Sequence, residues 1–575
     1  MKKAAAPILS LILAYSGSDL SAQDGSELTP RGLEAQAEGR LPFGKREAVA
    51  PVEVDNPVVL VSNLTKIKLT ASGGVSGTEL KSPEFPGKGP IEAVGLTVDL
   101  AGLAKALGPF MGAPLTESGL DQLVETVLRY YESEDRPVTD IVVPDQDLTA
   151  GAIEVVVVEG LVGSVGMQTG SIFNDELLSG AIHLQRGEIL LSSELQRHLD
   201  WLNRNPFRPV ALYAAPGQDE GEADLVFALS ERRPWRVYGG YENSGAEVSG
   251  EHRFLTGFNW GDAFGHDTLL SYQFTSAESP EELSAHAVSL EIPFHSRHQF
   301  LRLNGSLADI ATEGYLAGIL VESSGSSWQL GASYGFQFNR WEDFRQEASI
   351  GIEVKSSDNF LVYGGILGGS DVGVEVVQFR ADYRASRQFG QRGGLALSAA
   401  VVGSPGQLSA RNSDEKFRQF RPGAEASYLY ARAQAAWTRR LPGSWALRTR
   451  GRFQLGTGAL LPTEQLAMGG HASVRGFGER EYLADRGYLL SAEVRAPAMS
   501  LPIVGEVQFL GFLDHGRGWR DESVQGGPGE KEALTSLGAG LRLQLGKYFK
   551  LRADLGTPVG GGVGSRAHIG VTGSF

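Results

Sequence analysis

Alternation of apolar and polar residues along long segments is the feature that most constrains this fold. The clearest example is residues 328–339, where Trp328, Leu330, Ala332, Tyr334, Phe336 and Phe338 alternate with Gln329, Gly331, Ser333, Gly335, Gln337 and Asn339. Successive side chains of a strand point to opposite faces, so this segment has one lipid-compatible face and one polar face. Similar alternation recurs in Val288–Phe294, Ala348–Lys355, Val377–Arg384, Trp445–Leu455, Leu537–Leu545 and Phe549–Gly556. Strands of roughly ten residues are typical of a membrane-spanning barrel, whereas soluble sandwiches use about five or six.

The segments from residue 233 to residue 575 predict a closed barrel of sixteen antiparallel strands. We place them near 235–243, 251–260, 267–276, 284–294, 298–308, 326–339, 343–355, 373–386, 392–401, 426–440, 443–456, 484–496, 505–514, 534–546, 547–556 and 566–575. Most of the longest connections follow odd-numbered strands, as at Asp309–Gly325, Ser356–Ser370 and Val402–Glu425. Those after even-numbered strands are mostly short, as at His295–Arg297 and Leu441–Pro442. This asymmetry indicates an outer-membrane barrel with short periplasmic turns, and an even strand number removes all sheet edges.

Charge and cysteine content exclude several classes of partner and site. Lys and Arg number 52 against 68 Asp and Glu, a formal net charge of -16, so we expect no nucleic-acid partner. The absence of cysteine rules out disulfides and thiolate metal sites. No GxxxxGK[ST] string is present, and we predict neither a cofactor nor a metal.

The first 56 residues predict an export signal followed by a polar segment. Lys2 and Lys3 precede an apolar run from Ala4 to Tyr15 and the small-residue stretch ending at Ala22, so we assign residues 1–22 to a signal peptide. Residues 23–56 are polar and contain prolines, with a short helix predicted at Arg31–Glu38. This segment is interpreted either as a linker or as a plug of the barrel.

Residues 57–158 and 159–232 predict two α/β modules of the order βααββ. In the first, helices are expected at Val98–Gly108 and Glu117–Glu132, and strands at Asp140–Val143 and Ala152–Val158. In the second, strands are expected at Leu161–Gln168, Pro209–Ala214 and Glu222–Leu229, and helices at Asn174–Ile182 and Ser192–Asn203. Such modules have exposed sheet edges, which suit the capture of an extended peptide by strand addition.

A Gly-rich stretch between the eleventh and twelfth predicted strands contains Val474-Arg475-Gly476-Phe477, and Phe512-Leu513-Asp514-His515-Gly516 follows about forty residues later. Val507, Phe509, Gly511 and Leu513 share one face, which directs Asp514 into the lumen if that face meets lipid. Arginine pairs well with a carboxylate, so we predict contact between Arg475 and Asp514; the alternative is an exposed arginine beside an unrelated aspartate. Gly476 would allow a sharp turn, and Phe477 would wedge against the wall.

Two further groups of residues carry a family resemblance. Pro462–Gly470, Ser473–Phe477, Glu479 and Ser491–Pro497 closely resemble the sixth-loop region of two-partner secretion transporters, the outer-membrane partners that export haemolysin- and adhesin-type proteins. Asn203–Arg208, Pro216-Gly217, Ala223–Leu225 and Tyr241–Gly245 resemble the junction between the second POTRA module and the first barrel strand.

The resemblance implies an outer-membrane β-barrel preceded by two periplasmic POTRA modules. It implies that the modules capture a partly unfolded exoprotein and that loop six, carrying Val474, Arg475, Gly476 and Phe477, gates the pore. Phe512, Asp514 and Gly516 would be its partners on the barrel wall. The terminal strand ending in Phe575 resembles those of many outer-membrane barrels, which implies recognition by the barrel-assembly machinery, transit with periplasmic chaperones, and contact with outer-membrane lipid.

Three other functions fit the sequence less well. An assembly or insertion factor of the same superfamily usually carries three to five POTRA modules, and only two are predicted here. An outer-membrane lipase or protease is disfavoured because His515, expected in a loop or at the rim, has no GxSxG motif to complete a triad with Asp514. A passive porin would not need the α/β arm. The first module departs from the family pattern, since Thr65–Val98 is longer than expected and includes a loop-like stretch, Ala71–Pro90.

Overall fold

The computed structural model describes residues 58–72, 91–245, 250–316, 319–341, 343–363, 373–502, 505–521, 531–560 and 564–575. The predicted signal peptide, the 23–56 segment with its Arg31–Glu38 helix, and nearly all of Ala71–Pro90 lie outside these residues. Within the described part, one compact unit comprises residues 58–204 and 208–231, and the other comprises 205–207 and 232–575. No helix in the described ranges has the length and hydropathy needed to cross a bilayer.

The first α/β module is built on a four-stranded sheet of order β3-β2-β6-β5. Its strands are β2 (Lys66–Ala71), β3 (Ile91–Val94), β5 (Thr139–Val142) and β6 (Ala152–Glu159), and a separate ribbon joins β1 (Val59–Val61) to β4 (Leu115–Thr116). Helices α1 (Leu100–Leu107) and α2 (Glu117–Ser133) begin at side-chain caps provided by Asp99 and Thr116. Their apolar faces share one core with the strands, including Leu103, Leu107, Leu123, Val127, Tyr131, Ile67 and Val155.

Strand β3 was not predicted, and it makes the first module larger than a plain βααββ unit. It lies parallel to β2, with Ile67 opposite Ile91 and Thr70 opposite Val94. Its sequence, Ile-Glu-Ala-Val, is too short to show a clear period, and the pairing with β2 decides its conformation. The departure from the family pattern noted at Thr65–Val98 therefore contains an additional edge strand.

The second module has the predicted βααββ order. It consists of β7 (Leu161–Gln168), α3 (Asp175–Ser179), α4 (Ser192–Leu202), β8 (Val210–Pro216) and β9 (Glu222–Leu229). The sheet order is β7-β9-β8, so β8 lies at one edge. Asn174 caps α3 through its side chain, and the buried residues Leu195, Leu199 and Leu202 lie along α4.

The remaining unit is a closed antiparallel barrel, and in the described residues its wall has sixteen strands in addition to the short β24. Its strands are β10 (Trp235–Glu242), β11 (Arg253–Ala263), β12 (Thr268–Ser276), β13 (Leu283–Phe294), β14 (Gln299–Leu316), β15 (Ile319–Trp341), β16 (Phe344–Tyr363), β17 (Val374–Gln388), β18 (Gly393–Pro405), β19 (Ser427–Arg440), β20 (Ala446–Gly456), β23 (Arg486–Arg495), β25 (Gly505–Trp519), β26 (Lys531–Leu545), β27 (Phe549–Pro558) and β28 (Arg566–Ser574). The short β24 (Met499–Leu501) pairs with β25 beyond the end of β23. Pairing of β10 with β28 closes the wall.

The predicted alternation is confirmed by the exposure of individual side chains. Leu330 and Phe338 are 59% and 43% exposed on the outer surface, whereas Gln329, which precedes Leu330, is 2% exposed. The outer face is therefore apolar and the inner face polar, as a barrel in lipid requires.

The long outer connections were predicted as loops, and this was wrong for much of their length. Strand β14 continues to Leu316 and β15 begins at Ile319, so Asp309–Gly325 is largely a paired hairpin. Strand β16 continues to Tyr363, whereas residues 364–372 lie outside the described ranges. In Val402–Glu425 the structure has the end of β18 and a helix, α5 (Asp414–Phe420). Beyond the bilayer both faces of a strand meet water, so the period of two is lost while backbone pairing continues.

Candidate functional site: the inward-folded sixth loop

Residues 457–485, which connect β20 to β23, are named loop six here. The loop contains a small ribbon formed by β21 (Leu466–Met468) and β22 (Tyr482–Ala484). Its apolar side chains pack with two residues of the wall in one buried cluster, whose members are Leu466, Met468, Val474, Phe477, Tyr482, Ala484, Leu489 and Leu534. The loop is therefore packed against the inner wall.

Arg475 and Asp514 form a bidentate ion pair on the inner wall. The Arg475 Nε donates to Asp514 Oδ2 at 2.7 Å, and Nη2 donates to Oδ1 at 2.9 Å. The backbone N–H of Arg475 also donates to Oδ2 at 3.2 Å. Both side chains are buried, with exposures of 2% and 0%. Parallel N–H to carboxylate bonds fix the orientation of the guanidinium as well as its position.

Arg475 also meets two carboxylates that were not predicted from the sequence. Its Nη1 donates to Glu493 Oε1 of β23 at 2.8 Å and lies 3.6 Å from Asp554 Oδ1 of β27. Arg495 Nη2 pairs with the other carboxylate oxygen of Glu493, Oε2, at 2.7 Å, and Arg542 Nη1 pairs with Asp554 Oδ1 at 2.9 Å. The acids occupy the polar face of their strands, but only the three-dimensional register brings them to Arg475. One loop arginine thus joins three wall strands.

The other predicted motif residues lie around this ion pair. The Arg475 guanidinium carbon is 3.5 Å from the centroid of the Phe512 ring, which places the cation over the ring face. Gly476 has a φ of +91° and donates its N–H to His568 Nε2 at 3.2 Å. Val474 and Phe477 are buried in the apolar cluster. A Cβ on Gly516 would lie 3.1 Å from Val474 Cγ2, so this glycine leaves room for the loop.

The phase of β25 matches the prediction over its central part. Phe509 and Leu513 are 51% and 50% exposed on the outer face, and Asp514 faces inward. Val507, expected on the outer face, is instead 7% exposed, at the end of β25 where Met499 of β24 is its partner. His515 lies within β25 rather than in a loop, and its Nδ1 is 2.8 Å from Thr535 Oγ1.

A second part of loop six contacts a different part of the wall. Glu464 is fully buried, and its carboxylate accepts from Lys355 Nζ at 2.8 Å and from Tyr430 OH at 2.6 Å. At the end of the loop, Asp485 forms an ion pair at 2.5 Å with Arg421, the residue that follows α5. The only sequence signal for these residues was the presence of Glu464 in the family-like stretch.

The C-terminal residue lies at the seam that closes the barrel. The N–H of Phe575 donates to Val237 O at 2.9 Å, and Val237 N–H donates to Phe575 O at 3.1 Å. The Phe575 ring stacks on Tyr548 with centroids 5.2 Å apart and meets Phe549 edge-on at 5.7 Å. The residue therefore belongs to both the final hydrogen-bonded pair and an aromatic group at this end of the wall.

The family-like junction sequence also has a defined contact within the barrel unit. Asn205 Nδ2 donates to Gly261 O at 2.5 Å and to Asp267 Oδ1 at 2.7 Å. A Cβ on Gly261 would lie 2.2 Å from the Phe207 ring, so this position must be glycine for the ring to fit. Asn205 and Phe207 thereby attach this segment to the β11–β12 turn.

Comparison with known proteins gives consistent matches. The family model described as haemolysin secretion/activation protein ShlB/FhaC/HecB matches residues 221–543. The heme/hemopexin transporter protein HuxB of Haemophilus influenzae is 20% identical over 475 residues, covering 80% of each chain. The outer membrane transporter CdiB of Dickeya dadantii is 22% identical over 409 residues, covering 69% of this chain and 70% of its own. Among solved structures, CdiB from Escherichia coli has the same fold, with a TM-score of 0.72, 18% identity, and coverage of 93% and 94%.

Proposed function

Because the chain belongs to the haemolysin secretion/activation protein family ShlB/FhaC/HecB, a family of two-partner secretion transporters, we propose that it exports a partly unfolded exoprotein of the haemolysin or adhesin type. The barrel lies in the outer membrane, and the POTRA modules lie in the periplasm. The route runs from the periplasm, past the modules and through the barrel, to the cell surface. We assign no catalytic role to any residue.

The position of loop six carries this proposal. Its Arg475 is buried among Asp514, Glu493 and Asp554 on the inner wall, so the loop occupies space that a translocating chain would use. Removing one member of a buried ion pair typically costs about 3–5 kcal/mol, so such a loop stays in place unless something displaces it. Displacement of the loop by cargo is therefore the gating step that we propose.

Capture of the cargo is assigned to the outer edge of β8. Gly217 N–H donates to Glu222 O at 2.8 Å. From the register of β8 with β9, every second residue back along β8 also directs its N–H and C=O groups toward β9; these residues are Ala215, Tyr213 and Ala211. In an antiparallel ladder the intervening residues then direct their N–H and C=O groups away from β9. Leu212 and Ala214 are such residues, and within the described ranges no other strand pairs with this side of β8. An extended cargo segment would add there as a further strand.

Loop displacement is tested by a reversible crosslink in the full-length protein. The chain has no cysteine, so Val474→Cys combined with Gly516→Cys gives the only thiol pair. A Cβ at residue 516 would lie 3.1 Å from a terminal carbon of Val474, which suits a disulfide after a small adjustment. We expect the oxidised double variant to stop secretion and a reductant to restore it.

Each single cysteine variant is the matched control, because it has no second thiol to pair with and its secretion rate should be the same with and without reductant. Secretion at the wild-type rate by a quantitatively oxidised double variant would contradict gating by this loop. Folded barrel is quantified by heat-modifiable migration in every sample, so a failure of assembly is distinguished from a failure of opening.

Biogenesis adds further partners to the proposal. The seam position of Phe575 supports its role as a signal to the barrel-assembly machinery, and periplasmic chaperones would carry the unfolded chain to that machinery. The exposed apolar band of the wall contacts outer-membrane lipid.

A further inference from the structure

Glu464 is held by five side chains of the barrel wall. Its carboxylate accepts from Lys355 Nζ, Gln378 Nε2 and Tyr430 OH, at 2.8, 3.3 and 2.6 Å. Its backbone carbonyl accepts from Arg432 Nη2 and Gln454 Nε2, both at 2.9 Å. The side chain is 1% exposed. A carboxylate buried at this depth is stable only when it is paired and hydrogen-bonded, as it is here.

The wall keeps these donors in place through contacts of its own. Gln378 donates to Glu353 Oε2 at 2.8 Å and accepts from Tyr428 OH at 2.6 Å. Glu353 also pairs with Arg380 at 2.6 Å and lies 3.6 Å from Lys355 Nζ. Lys355 and Gln378 thus belong to a network on β16, β17 and β19 whose contacts do not involve the loop.

The Glu464 contacts are separate from the Arg475 contacts. Arg475 meets Ser491, Glu493, Asp514 and Asp554, which lie on β23, β25 and β27. Glu464 meets residues of β16, β17, β19 and β20. Among the contacts of the described residues, the two sets have no side chain in common. Arg475 lies eleven positions after Glu464, and a chain of that length reaches at most about 36–40 Å when extended.

We infer that Glu464 is a second positioning residue of loop six, and that it holds the first part of the loop independently of Arg475. The inference deepens the gating role proposed above and rests on it for its consequence in secretion. The loop then opens in two steps, because release of Arg475 frees the tip while residues around Glu464 remain on β16, β17, β19 and β20. Lys355 is the charged partner on the wall.

Accessibility of single cysteines in the purified full-length protein tests this independence. Thr463 is 6% exposed and Val474 is 0% exposed. The chain has no cysteine, so a cysteine introduced at either position is the only thiol in that variant. In the Glu464→Gln background we expect a membrane-impermeant maleimide to label Thr463→Cys about tenfold faster, because loss of the charge weakens the pairing with Lys355. Labelling of Val474→Cys should remain slow. In the Arg475→Ala background the order should reverse.

Three variants exclude a general loosening of the barrel. Lys355→Met should reproduce the effect of Glu464→Gln, and Lys355→Arg should preserve protection because the charge is retained. Glu291→Gln removes a wall carboxylate that pairs with Arg302 at 2.6 Å and should leave both labelling rates unchanged.

Unchanged labelling of Thr463→Cys in Glu464→Gln, or simultaneous opening of both positions, would overturn the inference. Because this assay contains no cargo, its outcome does not depend on secretion. If the two positions become accessible independently but the oxidised Val474→Cys/Gly516→Cys protein still secretes normally, the inference stands and the proposed gating function is contradicted.

Discussion

Gly476 and Gly556 meet backbone to backbone where the tip of loop six reaches the barrel wall. A Cβ on Gly476 would lie 2.7 Å from the carbonyl carbon of Gly556, and a Cβ on Gly556 would lie 2.6 Å from the Gly476 nitrogen. Real Cβ atoms do not approach other heavy atoms so closely. The absence of both side chains therefore allows Arg475, the preceding residue, to reach its carboxylates.

The first prediction follows from this contact. Gly556→Ala should force the loop tip away from β27 at a cost of about 1–3 kcal/mol, as overpacking does elsewhere. We expect a larger single-channel conductance in planar bilayers and reduced secretion. Gly564→Ala is the matched control, since a Cβ there meets no atom within 4 Å. Wild-type conductance in Gly556→Ala would show that this close approach does not hold the loop.

The second prediction concerns the Arg475–Asp514 pair. Each of Arg475→Ala and Asp514→Ala leaves a buried charge without its main partner, so we expect either variant to lose about 3–5 kcal/mol of loop anchoring. Arg475→Ala should have the stronger effect, because Glu493 and Asp554 also lose a cation. Secretion and channel conductance are the measurements, and the barrel should still insert.

The double variant separates a shared interaction from two independent effects. If the residues act together, Arg475→Ala/Asp514→Ala should be scarcely worse than Arg475→Ala, because the interaction is lost only once. Strictly additive defects would mean that the contact seen between the two side chains does not act as a unit.

The barrel was predictable from sequence because lipid and water impose different polarity on the two faces of each wall strand. Leu330 is 59% exposed and Gln329 is 2% exposed. The alternation of apolar and polar residues in 328–339 predicts this contrast. The same parity directs Asp514 inward. Prediction failed at Asp309–Gly325, where the backbone pairing of β14 with β15 continues although apolar and polar residues no longer alternate in the sequence.

The full set of loop contacts was not predictable in this way. Lys355 lies 109 residues before Glu464, and Asp554 lies 79 residues after Arg475, so no local period links either pair. Helix α5 was missed because only seven residues form it, although Ser413 caps it and Phe417 and Phe420 share its buried face. Contacts between a loop and distant strands depend on the barrel register, which sequence periodicity does not specify.

The third prediction concerns assembly. Deleting Phe575 removes two backbone hydrogen bonds to Val237 and the aromatic contacts with Tyr548 and Phe549. We expect less folded barrel on a semi-native gel and more periplasmic degradation. Phe575→Tyr keeps the ring and the backbone pairing and should assemble normally. Equal amounts of folded barrel with and without Phe575 would refute a role for this residue in insertion.

The fourth prediction tests the β8 edge. Ala214→Pro removes an N–H that points away from β9, so the internal ladder of the second module should survive while a cargo strand loses a donor. Proline also obstructs an incoming strand at that position. We expect secretion to fall about tenfold or more, as for loss of roughly 1.4 kcal/mol of cargo binding.

Ala214→Ser is the matched control, because it retains the N–H at a partly exposed position and should secrete normally. Crosslinking provides the direct measurement: a photoreactive residue in place of Tyr213, which is 61% exposed, should capture cargo in the Ala214→Ser background and fail to do so beside Ala214→Pro. Circular dichroism of the purified variants checks that the sheet is intact. If Ala214→Pro is folded and still captures and secretes cargo at the control rate, strand addition does not occur on this edge, and the opposite edge strand β7 becomes the surface to test by the same substitution.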